Sequence, residues 1–139
     1  MKSMDRIYYK SGYKYQLSAR YVSVLAIHPD EDIITKYLRL YKTGALEILE
    51  GYPWDGPSGP TFDSPEFMRG SLEHDALYQL MRMGLLPQKY REYADKRLRL
   101  CCIEDGMSPI RVWYVYHAVR LFAKSCASPK NRKVIKTAP

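Results

Sequence analysis

The chain of 139 residues lacks most of the features that announce a function. No apolar run approaches the roughly 20 residues that span a bilayer, so no transmembrane helix is expected. The opening residues, Met1 to Lys10, contain no apolar signal core, and nothing in them marks the chain for export. Cysteine is scarce. Cys101, Cys102 and Cys126 are odd in number and two are adjacent, which makes neither a disulfide framework nor a zinc set. The expected setting is a reducing cytosol, with these thiols acting as small core residues. There is also no internal repeat, P-loop, dinucleotide-binding glycine pattern or Cys/His metal spacing.

What is present bounds the rest. The length fits one domain with a real core. The formal charge is +7 with a pI near 9.3, which invites a polyanionic partner, but the charge is unevenly placed. Lys124, Lys130, Arg132, Lys133 and Lys136 crowd the last sixteen residues, together with Pro129 and Pro139, while the body is close to balance. Residues 1–126 are therefore expected to form a single α+β domain and residues 127–139 a basic, flexible tail. Nucleic acid or acidic lipid headgroups are the acidic partners such a tail would meet.

Strand signals fill the first part. Tyr13 to Ser18 alternates and Tyr21 to Ile27 is more continuously apolar; both read as strands, with Ser11-Gly12 as a turn ahead of the first. His28 to Ile33 is a polar break. Lys36–Tyr41 and Ala45–Leu49 alternate on either side of Lys42-Thr43-Gly44, a hairpin signal. The expectation is an N-terminal antiparallel sheet of about four strands, lined by its tyrosines. Gly51 to Pro60 carries three glycines and three prolines, a density that predicts no regular structure. Two readings of it stay open: a plain connector, or a loop whose Trp54 and Asp55 supply carbonyl or carboxylate ligands.

From Ser64 the period becomes helical. Ser64-Pro65-Glu66 reads as N-cap, first-turn proline and first-turn acid, for a helix running to about Met83 and stopping at Gly84. A second helix is predicted from about Gln88 to Glu104, with Gly106 as its stop. A third runs from Ile110 to Lys124, with Val112, Tyr116, Val119 and Phe122/Ala123 as its apolar stripe and Trp113 and Tyr114 as packing residues. His28 and His117 read as lone surface or packed histidines.

The one constellation that looks like chemistry is Ser71 to Tyr78. On a helix His74 and Tyr78 share a face, continued by Leu77 and Met81, and Asp75 projects about 100° away from His74. A turn at Gly84–Pro87 would fold the second helix back antiparallel to the first and let Asp95 reach the His74 imidazole. A histidine with one carboxylate beside it and another behind it can orient a base and place a water or a cation. The bland alternative is a buried polar network that fixes helix register.

Taken together, Trp54-Asp-Gly, Phe67 to Arg82 with its His-Asp-Ala-Leu-Tyr core, Tyr90 to Asp95, Glu104-Asp-Gly-Met and Tyr114 to Arg120 resemble a family of small proteins of unknown function found in tailed bacteriophages and prophages. That resemblance covers about residues 37 to 123. It implies a phage accessory or virion-associated protein, in the host cytoplasm or the virion, with other phage proteins or a host factor as partners. A looser resemblance is to the calcium-dependent phospholipases that cleave the sn-2 ester. It implies His74 as the base that activates water, Asp95 as its orienting group, and Tyr78 bonded to Asp95. Asp75 and carbonyls at Trp54, Asp55 and Gly56 would hold calcium, and a lipid would be the substrate. The loop at Trp54 departs from the glycine spacing of those enzymes. Three functions follow: a non-catalytic phage component, a calcium-dependent ester hydrolase, and a basic binder of nucleic acid or a host factor.

Overall fold

The computed structural model describes residues 7–10, 15–54 and 64–122. Their order is α+β, with strands first and three helices after them. The strands are β1 (Tyr9–Lys10), β2 (Tyr15–Leu17), β3 (Tyr21–Val24), β4 (Ile33–Ile34), β5 (Leu38–Leu40), β6 (Ala45–Ile48) and β7 (Pro53–Trp54). They form two antiparallel sheets, β3-β6-β5-β4 and β1-β2-β7, where the sequence predicts one sheet of about four strands. The division follows from strand length: residues 18–20 break the run between β2 and β3, so the chain changes sheets there.

The hairpin of β5 and β6 is as the alternation predicts, with Leu38, Leu40, Leu46 and Ile48 all turned into the core. At its turn Gly44 has φ +95°, and a Cβ there would run into the carbonyl oxygen of Leu25, so only glycine closes this hairpin. Two expectations fail. Tyr21–Ile27 is not one continuous buried strand. β3 stops at Val24 and alternates, with Tyr21 and Ser23 inward and Val22 and Val24 outward. Regular structure also enters the Gly/Pro-rich stretch, because Pro53 and Trp54 pair with Gln16 and Tyr15. An edge strand tolerates the proline, and the Tyr15 and Trp54 rings, 5.5 Å apart, hold it in place.

The helices are α1 (Pro65–Arg82), α2 (Arg91–Glu104), preceded by a single 3-10 turn at Gln88–Tyr90, and α3 (Pro109–Phe122). Gly84 and Gly106 follow α1 and α2 at the predicted stops, both with positive φ. Ser64 holds the extended N-cap conformation, yet its hydroxyl caps nothing and accepts instead from Arg111 Nη1 at 2.6 Å. Helix α1 is the centre of the molecule, with thirteen of its eighteen residues buried. Met68, Leu72, Leu77, Leu80 and Met81 join the sheet residues in the main core. A smaller core of Phe67, Leu98, Cys102, Met107, Val112 and Val115 ties the three helices together. Cys101 and Cys102 are buried free thiols, as expected. Burial, then the nearby Asp105 carboxylate, pushes Cys102 up to about 12, so it stays protonated and inert.

Helix α3 differs from its expected pattern. Its inner stripe is Val112, Val115 and Val119, while Tyr116 is half-buried under the Arg99 guanidinium. Trp113 and Tyr114 are exposed rather than packed. The helix is apolar on both faces, so periodicity alone could not say which face turns inward. The predicted Phe122/Ala123 end of the stripe and the 127–139 tail lie outside the side chains described.

Where α1 meets α2, Gly70 allows close approach. A Cβ at this position would lie 2.8 Å from Leu98 Cδ1 and 3.3 Å from both Cys101 Cβ and the Leu98 carbonyl. Gly70→Val should therefore lower stability by roughly 1–3 kcal/mol through over-packing. Urea unfolding measures this, and an unchanged midpoint would mean that the helices separate there freely.

Candidate functional site

The α1–α2 turn brings His74, Tyr78 and Asp95 together. His74 Nε2 lies 2.7 Å from Asp95 Oδ1, and the Tyr78 hydroxyl donates to the same oxygen at 2.6 Å. The His74 and Tyr78 rings, one helical turn apart, stack at 4.2 Å with a 32° tilt. Asp95 is fully buried and His74 is 8 % exposed. On its other oxygen, Oδ2, Asp95 accepts from Arg120 Nη1 of α3 at 2.7 Å, and Arg91 Nη1, one turn earlier on α2, stands 3.6 Å away.

Burial alone would raise the Asp95 carboxyl, but the hydrogen bonds from His74, Tyr78 and Arg120 outweigh it and hold the group below the usual carboxylate range. The Tyr78 hydroxyl is pushed up, first by burial and then by its bond to Asp95. An ionised Asp95 can only accept, so the proton of the His74 contact sits on Nε2. Nδ1 makes no hydrogen bond among the described residues.

A second cluster occupies the same helix interface. Glu73, fully buried, accepts from Arg97 Nε at 2.7 Å, from Arg97 Nη2 at 3.2 Å and from the Tyr21 hydroxyl at 2.5 Å. Arg69, one turn before Glu73, reaches Tyr21 Oη at 3.5 Å, Glu104 Oε1 at 2.7 Å and Asp105 Oδ2 at 3.0 Å. It links the first strand of the larger sheet to the end of α2. Sequence reasoning did not single out Glu73, Arg69, Arg97, Arg91 or Arg120. The i,i+4 spacings Arg69/Glu73 and Arg91/Asp95 are a weak signal for three of these residues, and nothing local marks Arg97 or Arg120.

The proposed cation ligands fare differently. Asp75 is half-buried on α1. Trp54 is buried, and its indole Nε1 donates to Ser71 Oγ at 3.2 Å, so its side chain anchors β7 to α1 one turn before His74. Asp55 and Gly56 lie outside the described residues. Among the described residues no group of three or more His, Cys, Asp or Glu side chains could hold a metal ion. None of the described helices is long and apolar enough to cross a membrane. His28 and His117 are both exposed; the first bonds the Lys42 carbonyl through Nδ1 and the second lies against Trp113. No family model, curated protein or solved structure matches this chain.

Proposed function

We propose that the protein is a non-catalytic bacteriophage accessory or virion-associated component, in which His74, Tyr78 and Asp95 lock three helices into one body. The observation that supports this is the saturation of Asp95. Both of its oxygens are engaged, by residues of α1, α2 and α3, with no solvent exposure. A register-fixing network needs neither exposure nor a mobile proton. The phage assignment is supported by the motif resemblance from Trp54 to Arg120. Detection of the chain in purified particles, or its confinement to infected-cell cytoplasm, separates a virion component from an accessory one.

A second reading is favoured by one observation, the unbonded Nδ1 of His74. In a calcium-dependent ester hydrolase, Nδ1 would take the proton of water. Nε2–H would stay fixed on Asp95, and Tyr78 would hold that carboxylate in place. Calcium, when bound, would polarise the ester carbonyl. The test compares wild type, His74→Ala and Asp95→Asn in mixed phospholipid and simple ester hydrolysis, and in thermal melting with calcium or chelator. The non-catalytic reading expects no turnover, no calcium-dependent shift and lower melting temperatures in both variants. Turnover abolished by His74→Ala in a folded protein would overturn it.

The third function, a basic binder, needs the tail to join other cations on one face. Arg69, Arg97, Arg111 and Arg120 instead turn inward to Asp105, Glu73, Glu66 and Asp95.

A further inference from the structure

Helix α3 has an outer face that is exposed among the described residues. Ile110, Trp113, Tyr114, His117 and Leu121 fall within about 100° of arc at 100° per residue, opposite the buried Val112 and Val115 and the half-buried Val119. Ile110 is 83 % exposed, Leu121 72 % and Trp113 63 %. Single exposed apolar side chains are ordinary, but a stripe of this length, about 16 Å from Ile110 to Leu121 at 1.5 Å per residue, is not. The stripe carries no acid and no exposed lysine. The helix's two arginines are drawn off it, to Glu66 and to Asp95.

The charge of the chain is concentrated around the same element. Every Asp and Glu lies at or before Asp105, and residues 106–139 contain seven Lys and Arg, so the whole +7 belongs to this last segment. Five of the seven follow the stripe directly, from Lys124 to Lys136. Aliphatic and indole groups beside a run of cations match the two layers of an anionic bilayer surface: an acyl boundary for the stripe and acidic headgroups for the lysines.

We infer that the outer face of α3 is a peripheral docking surface for anionic lipid membranes, lying in the plane of the interface, with the net positive charge of residues 106–139 supplying the attraction to acidic headgroups. Nucleic acid fits less well, because Ile110 and Leu121, the most exposed of the stripe, offer bases no stacking plane. A second copy fits less well too, since pairing α3 with itself brings two +7 segments together with no acid to meet them. The inference does not depend on the role of His74.

The test mixes the full chain with vesicles of phosphatidylcholine alone and of phosphatidylcholine with phosphatidylglycerol. Binding is followed by co-sedimentation and tryptophan emission. Trp54 is buried and Trp113 exposed, so a blue shift on binding reports Trp113. The protein should sediment only with the mixed vesicles, with a blue shift, and be released by salt. Ile110→Gln/Leu121→Gln, at exposed positions, should keep the melting temperature and weaken binding at least about tenfold. Lys130→Gln/Arg132→Gln/Lys133→Gln should weaken it as well. No sedimentation with mixed vesicles would overturn the inference, as would binding undiminished in the first variant. Two other results would overturn it in favour of a different occupant. One is single-stranded oligonucleotide binding lost in Trp113→Ala with vesicles ignored. The other is a dimer in light scattering that Ile110→Gln/Leu121→Gln disperses without any vesicle binding.

Discussion

Glu73→Ala should destabilise the fold by roughly 3–5 kcal/mol, the cost of leaving a buried charge without its partner. Among the described residues Glu73 is the only acceptor of Arg97, and it also receives the Tyr21 hydroxyl from the larger sheet. Removing it strands a guanidinium whose side chain is 13 % exposed and frees a phenol buried at 3 %. The effect belongs to the broken pair rather than to the pair's net worth. Glu73→Leu/Arg97→Met, which removes both charges and keeps the volume, should therefore cost much less than the single change, because buried ion pairs replaced by apolar groups are often neutral. Urea unfolding of both variants measures this. A single-variant loss below about 1 kcal/mol would mean that water reaches Arg97 and the cluster is not closed.

That cluster also marks the limit of what the letters disclose. Period-two alternation around Lys42-Thr43-Gly44 and the Ser64-Pro65 start are local signals, and local geometry is enough to build the β5–β6 hairpin and begin α1. The contact of His74 with Asp95 was legible for the same reason: two helices and a short turn leave few ways to fold back. Arg120 was not legible as a partner of Asp95. Its position depends on how α3 crosses α2, and that crossing rests on the core in which Val112, Val115 and Val119 meet Leu98 and Cys102. Glu73 carries no local signal, because an acid on a helix ordinarily faces water. In α1, buried on nearly all sides, it turns inward instead. Trp113 was misplaced because α3 offers two apolar stripes, and the one that turns inward is the valine stripe.

Asp95→Ala should be the other large change, again roughly 3–5 kcal/mol at neutral pH, since it leaves His74, Tyr78, Arg91 and Arg120 without their shared acceptor. Its pH dependence identifies the cause. The folded Asp95 carboxyl is held below its ordinary value: burial works against this, and the bonds from His74, Tyr78 and Arg120 prevail. A group whose folded pKa is depressed contributes stability that is present above its unfolded value, about 3.9. That contribution is lost as pH falls through the folded value. Wild type should therefore lose its advantage over Asp95→Ala in acid, with the gap full at pH 7 and shrinking once the pH drops below about 4. Asp95→Asn should also be costly at neutral pH, because its amide NH2 must face either the Arg120 guanidinium or the Nε2–H and phenol donors of His74 and Tyr78. Unfolding midpoints of the three proteins from neutral pH down into acid provide the measurement. A gap that stays constant across that range would show that Asp95 stabilises the helices by its shape alone, and the charge-based account of this network would then be wrong.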